Sequence, residues 1–104
     1  MIFIETSFFT EDVLQMLDDE SYASLQRHLA AHPEAGDLIQ DTGGLRKVRW
    51  LAGGRGKRGG VRVIYCFAVA RQQIRMLLIY RKGRQDNLTA AQKSVLRRIN
   101  EAWE

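Results

Sequence analysis

The sequence predicts an α+β fold, a single domain over residues 1–104 in which an antiparallel sheet carries helices against one face. Three observations predict it. Apolar residues recur at helical spacing near both ends of the chain. Three runs with period-two alternation fill the middle. Glycine clusters and polar turns punctuate those runs. The expected order is β-α-α-β-β-β-α.

Residues 2–9 (IFIETSFF) are rich in β-branched and aromatic residues and read as the first strand. Thr10 then caps a short helix, with Glu11 and Asp12 in its first turn, where the helix dipole favours acids. Asp18 or Asp19 caps a second helix, with Tyr22, Leu25, Leu29 and Ala30 as its apolar stripe. Pro33 stops it, because a residue before proline disfavours helical geometry. After a connection through Gly44 come three strands at 45–51, 61–70 and 75–82. Thr89 and Gln92 form the T-x-x-Q capping box of a last helix, whose stripe is Val95, Leu96, Ile99 and Trp103.

Hydrophobic content of 45% and charged content of 27% fit a globular chain with a modest core. No apolar run approaches the ~20 residues of a membrane helix. The apolar N-terminus lacks basic flanks and does not read as a signal peptide. The lone Cys66 excludes an intrachain disulfide and lies in an apolar strand, as a small buried hydrophobe would. A cytoplasmic protein is the default expectation.

Charge is segregated along the chain. Residues 1–41 hold nine acids and one base; residues 42–84 hold twelve bases and no acid. The remainder is balanced, and the net charge is +4. Surfaces shaped only by solubility mix their signs, and like charges placed opposite each other in a sheet repel. A solvated basic face without a role is the plain alternative; a polyanionic partner accounts for the segregation directly.

Alternation sorts the strand side chains. Lys47 and Arg49 share a face with Leu45, opposite Arg46, Val48 and Trp50. Arg62 lies opposite the apolar row Val61, Val63, Tyr65 and Phe67, and Tyr80 and Lys82 share a face with Leu78. If the Arg62 face is open, Lys47, Arg62, Tyr80 and Lys82 converge near one edge, beneath the Gly53–Gly60 loop with its Arg55, Lys57 and Arg58. Cations meet phosphates, and an aromatic face stacks on a base, so this set suits an RNA strand. Arg46, Arg81 and Arg84 are further RNA-binding candidates. For Arg46 and Arg49, pairing with the acidic helices is the competing assignment.

Other chemistries find less support. GGRGKRGG joins two strands and lacks the order of a phosphate-binding P-loop. His28 and His32 have metal-compatible spacing, but no third ligand accompanies them, so no metal or other cofactor is expected. There is no Ser-His-Asp grouping. RNA, however, carries its own nucleophile in the 2′-hydroxyl. Holding that group in line with phosphorus supplies much of the rate, and Arg or Lys stabilises the charge gathering on the phosphate. A lysine crowded by cations can also serve as a base.

The stretches GGLRKVRW, GRGKRGGVRVIY and LLIYRKGRQDNLTAAQ, with HPEAGDLIQDTGG before them, resemble the RelE/HigB toxins of bacterial toxin–antitoxin modules, and most closely the HigB branch. The resemblance covers nearly the whole chain and implies the RelE-like fold. It further implies a toxin that cleaves messenger RNA in the ribosomal A site, against ribosomal RNA, and so inhibits translation. The implied inhibitor is an antitoxin with a helix-turn-helix DNA-binding domain. By position, Lys47 matches a basic residue on the first meander strand, Arg62 the arginine at the scissile phosphate, and Lys82 a basic acid or phosphate ligand. Tyr80 is the candidate for base stacking; RelE places its stacking tyrosine in the following loop, where this chain has Leu88. Two alternatives stand beside the ribonuclease: a ParE-like inhibitor of DNA gyrase on the same fold, and a non-catalytic RNA-binding module.

Overall fold

Thr6 sets the length of the first strand. Its backbone is extended, its hydroxyl accepts the Phe9 amide at 3.1 Å, and the same hydroxyl donates to the Leu77 carbonyl at 3.0 Å. Strand β1 (Ile2–Glu5) therefore ends where helix α1 (Ser7–Met16) begins. Phe9, Val13 and Leu17 then recur at helical spacing as a buried row. The strand expected over residues 2–9 is halved. Thr10 is not the cap, and Glu11 and Asp12 fall outside the first turn. The aromatic pair that suggests a strand belongs to the helix, because capping satisfies backbone amides that would otherwise be orphaned.

The computed structural model describes residues 1–51, 60–83 and 87–103. Helix α2 (Asp19–Ala31) starts as expected, with the Asp18 carboxylate accepting the Ser21 amide at 2.7 Å. That hydrogen bond holds the Asp18 carboxyl below its ordinary range. A two-residue strand β2 (Asp37–Leu38) follows, too short for any alternation to reveal. Next come β3 (Arg46–Trp50), β4 (Val61–Ala68) and β5 (Gln73–Arg81). Helix α3 (Ala90–Glu101) closes the order, with the Thr89–Gln92 capping box formed in full. No described helix is long and apolar enough to cross a membrane.

The sheet order is β1-β5-β4-β3-β2. Strands β2 to β5 pair antiparallel, whereas β1 lies parallel to β5, with Ile2 opposite Gln73 and Glu5 opposite Met76. The helices occupy both faces of the sheet, not one. On the first, Phe9, Val13, Leu25 and Leu29 from α1 and α2 meet Val63, Tyr65, Ile74 and Met76. On the second, Leu96 of α3 meets Leu45, Ile64, Cys66 and Leu77. Cys66 is buried there and accepts the Asn100 side-chain amide at 3.4 Å.

A bulge divides β5. Ile64 pairs with Leu78 and Tyr65 with Met76, which leaves Leu77 without an opposite number. Ile74, Met76 and Ile79 face α1 and α2, while Leu77 and Tyr80 face α3.

Two tyrosine hydroxyls anchor the helical layer. That of Tyr65 donates to the Pro33 carbonyl at 2.8 Å and accepts the Gly36 amide at 2.9 Å. Gly36 has to be glycine, because a Cβ there would sit 2.8 Å from the Tyr65 ring and 2.9 Å from the Lys47 carbonyl. The Tyr22 hydroxyl donates to the Glu5 carboxylate.

Thr6→Val is isosteric but removes both bonds of the cap. It should cost about 1–3 kcal/mol in urea unfolding, and an unchanged midpoint would refute the role given to the cap. Burial pushes the Tyr65 hydroxyl above 10.0, and burial reinforced by Glu5 does the same to Tyr22. Folding keeps both phenols neutral, so their contribution is complete below pH 10 and is lost as pH rises beyond it. Alkaline titration at 295 nm should show these two phenols ionising only as the chain unfolds; free ionisation near pH 10 in the folded protein would contradict it.

Candidate RNA-binding groove

Cross-strand register brings the central residues together. Arg49 on β3, Arg62 on β4 and Tyr80 on β5 occupy one continuous rung, Arg49 opposite Arg62 and Arg62 opposite Tyr80. The next rung is Lys47, Ile64 and Leu78. All of these point to the α3 face. Like charges opposite each other lie about 4.5–5.5 Å apart at Cβ and oppose folding. Arg49 is exposed, and Arg62 is half-buried with its guanidinium 3.4 Å from the Val61 carbonyl. Residues 42 to 84, which include β3, β4 and β5, hold no acid.

Helix α3 covers one end of this face and leaves the other to the cations. Asn100, near the helix C-terminus, takes Arg75 through its carbonyl and its side chain at 3.3 and 3.2 Å. The Arg75 guanidinium also lies 5.5 Å from the centre of the Trp103 ring. This buried arginine fastens the helix and takes no part in the groove.

Lys47 is half-buried, and its ammonium donates to the Asn87 side-chain oxygen at 3.5 Å. Lys82 is exposed just beyond β5, its amide donating to the Gly60 carbonyl at 3.2 Å. Gly60 closes the mouth of the hairpin with φ +53°, where a Cβ would fall 2.1 Å from the Trp50 carbonyl. Tyr80 is only 8% exposed and packs in the same cluster as Leu88. Its ring is a wall of the groove, not an open platform for stacking.

Two of the proposed RNA contacts are placed elsewhere. Arg46 turns to the opposite face, where it donates to the carbonyls of Gly36 at 2.8 Å and Glu34 at 3.2 Å and lies 3.9 Å from the Glu34 carboxylate. Arg81 also faces away and donates to the Gln15 carbonyl at 3.0 Å. Arg55, Lys57, Arg58 and Arg84 lie outside the described residues. His28 and His32 stand with ring centres 5.5 Å apart, and His28 packs 5.2 Å from Trp50. The position of Asn87 beside Lys47 was not apparent from sequence; its only signal is its place in the polar loop before the Thr89 cap.

The two β3 arginines should behave differently. Arg46→Ala should lower stability by about 1–3 kcal/mol, since it strands two carbonyls and a buried stem. Arg49→Ala should change it by less than about 0.5 kcal/mol. Equal effects in urea unfolding would overturn the assignment of Arg46 to scaffold and Arg49 to surface.

No family model matches the sequence. A solved structure of the E. coli toxin RelE, a double mutant in the free state, superposes with a TM-score of 0.59 at 9% sequence identity. The alignment spans 98% of this chain and 97% of that one. At such low identity the likeness is one of architecture, and it holds from end to end: this is a RelE-like α+β fold.

Proposed function

We propose that this protein is the toxin of a bacterial toxin–antitoxin module, a ribosome-dependent endoribonuclease that cuts messenger RNA in the A site. The observation that carries the reading is the Arg49–Arg62–Tyr80 rung with Lys47 one rung away. Folding gains nothing from opposed arginines, whereas a phosphate lying across them removes the repulsion. The architecture shared with the E. coli toxin RelE is consistent with this use of the sheet. The acids of α1 and α2 lie behind the sheet and face away from the groove. An RNA partner would meet the cations and be repelled from the far side.

In the proposed reaction the substrate 2′-oxygen attacks the adjacent phosphorus and the bond from phosphorus to the 5′-oxygen breaks. A proton leaves the 2′-hydroxyl and another reaches the departing oxygen. Arg62 remains charged, so its part is to hold and stabilise the phosphate as charge gathers on it. Proton transfer falls to the groups in reach that are able to exchange a proton, Lys47 and Lys82; the Tyr80 hydroxyl is buried, and its ring shapes the wall beside them. Arg49 extends the phosphate track, and the ribosome completes substrate orientation. A cognate antitoxin with a helix-turn-helix domain would bind the acidic helical side and exclude the toxin from the ribosome by bulk.

Brief induction followed by primer extension on translated messages tests the reading. Cuts should fall within reading frames and vanish when initiation is blocked. Arg62→Ala should lose roughly 100–1,000-fold in cleavage while its stability changes by less than about 1 kcal/mol. Full cleavage by a folded Arg62→Ala protein, or growth arrest without any cut message, would refute it.

A further inference from the structure

Beside Lys47, towards β2, a cavity of about 280 Å³ opens between β2, β3 and the start of α3. It lies on the α3 face of the sheet, since Asp37 pairs with Lys47 across β2 and β3. Its volume is just below the ~300–1,000 Å³ of sites for drug-sized ligands, which suits one small heterocycle. Ile39 and Leu88, both part of the α3-side cluster, give it aliphatic walls. The polar residues that line it are Asp37, Gln40, Asn87, Lys47 and Lys93.

We propose that this cavity binds one nucleobase of the RNA strand, next to the nucleotide whose phosphate Arg62 holds, and that it selects adenine and cytosine over uracil. The proposal rests on the ribonuclease reading and adds a specificity site to it. Spacing supports it: Lys47 and Arg49 are two residues apart on one strand face, about 7 Å, a single step along an extended RNA strand. One cation then meets each of two successive phosphates, and the base between them reaches the cavity.

The preference follows from the donors and acceptors present. A carboxylate only accepts, and each amide both accepts and donates. Adenine and cytosine place an amino donor beside a ring-nitrogen acceptor, which a carboxylate and an amide together satisfy. Uracil turns a carbonyl towards the Asp37 carboxylate and leaves it unsatisfied. Lys93, from the first turns of α3, lines the same cavity and is placed to meet the sugar-phosphate edge.

Nuclear magnetic resonance of the Arg62→Ala protein, titrated with AMP, CMP, UMP and inorganic phosphate, tests the site without any cleavage. AMP and CMP should move the side-chain amide signals of Asn87 and Gln40 at concentrations at least about fivefold below UMP, as one discriminating base contact implies. Asp37→Asn, at an exposed position, should erase that ratio while leaving the fold unchanged. Equal responses to UMP or to inorganic phosphate, or no response at these amides, would overturn the proposal. In cells, Asp37→Asn should redistribute the bases flanking the cuts, so that uracil is no longer rarer there than adenine or cytosine; an unchanged distribution would overturn the proposal. AMP binding at these amides by a protein that cuts no message would support the site and overturn the ribonuclease reading instead.

Discussion

The groove depends on a single extra residue in the last strand. Leu77 has no partner on β4, and its insertion reverses the phase of everything after it. Under strict alternation Ile74, Met76, Leu78 and Tyr80 would all point towards α1 and α2. With the bulge, Ile74 and Met76 stay in the helix-facing core while Tyr80 turns to the α3 face beside Arg62. The same residue supplies the carbonyl that receives the Thr6 hydroxyl. One irregularity therefore sets which β5 side chain joins Arg49 and Arg62 in the groove and ties the first helix to the sheet.

Around that irregularity the protein separates two tasks by face. The helix-facing side carries the larger core, and its polar anchors are local and well satisfied: the Tyr65 hydroxyl between Pro33 and Gly36, and Arg46 on the carbonyls of Glu34 and Gly36. The α3 side carries Lys47, Arg49 and Arg62 and a smaller apolar cluster around α3. Arg75 and Trp103 hold the far end of that helix. Like charge accumulates where stability asks least of it, which is the general relation between strained or repelling groups and function.

Local chemistry in the sequence indicated much of this arrangement. The caps at Asp18 and Thr89, the stop before Pro33 and the faces of β3 and β4 follow from short-range rules, and the structure keeps them. The first helix was misplaced because Phe8 and Phe9 have strand propensity, and a bond from Thr6 to a residue 71 positions away overrides it. The parallel β1, the second helical face and the strand at Asp37–Leu38 are products of long-range pairing, which periodicity does not encode. Within the groove, alternation grouped Lys47 with Arg49 correctly and separated them from Arg46. It did not show that Tyr80 would be buried, because that burial comes from a cluster it shares with Leu45, Leu88 and Leu96, residues distant from it along the chain or beyond its strand.

The parallel pairing of β1 has a consequence for the order in which the chain acquires its shape. Among the described residues β1 neighbours β5 alone, and the cap on α1 closes on a carbonyl of that same late strand. During synthesis the N-terminal segment leaves the ribosome long before residues 73–81 are made. Its strand then has nothing to pair with, and its first helical turn lacks half of its anchor. Contacts so distant in sequence form late and slow the folding of a small domain. The same strand supplies Tyr80 to the rung of Arg49 and Arg62, so a growing chain lacks that wall of its groove while the ribosome is still translating it.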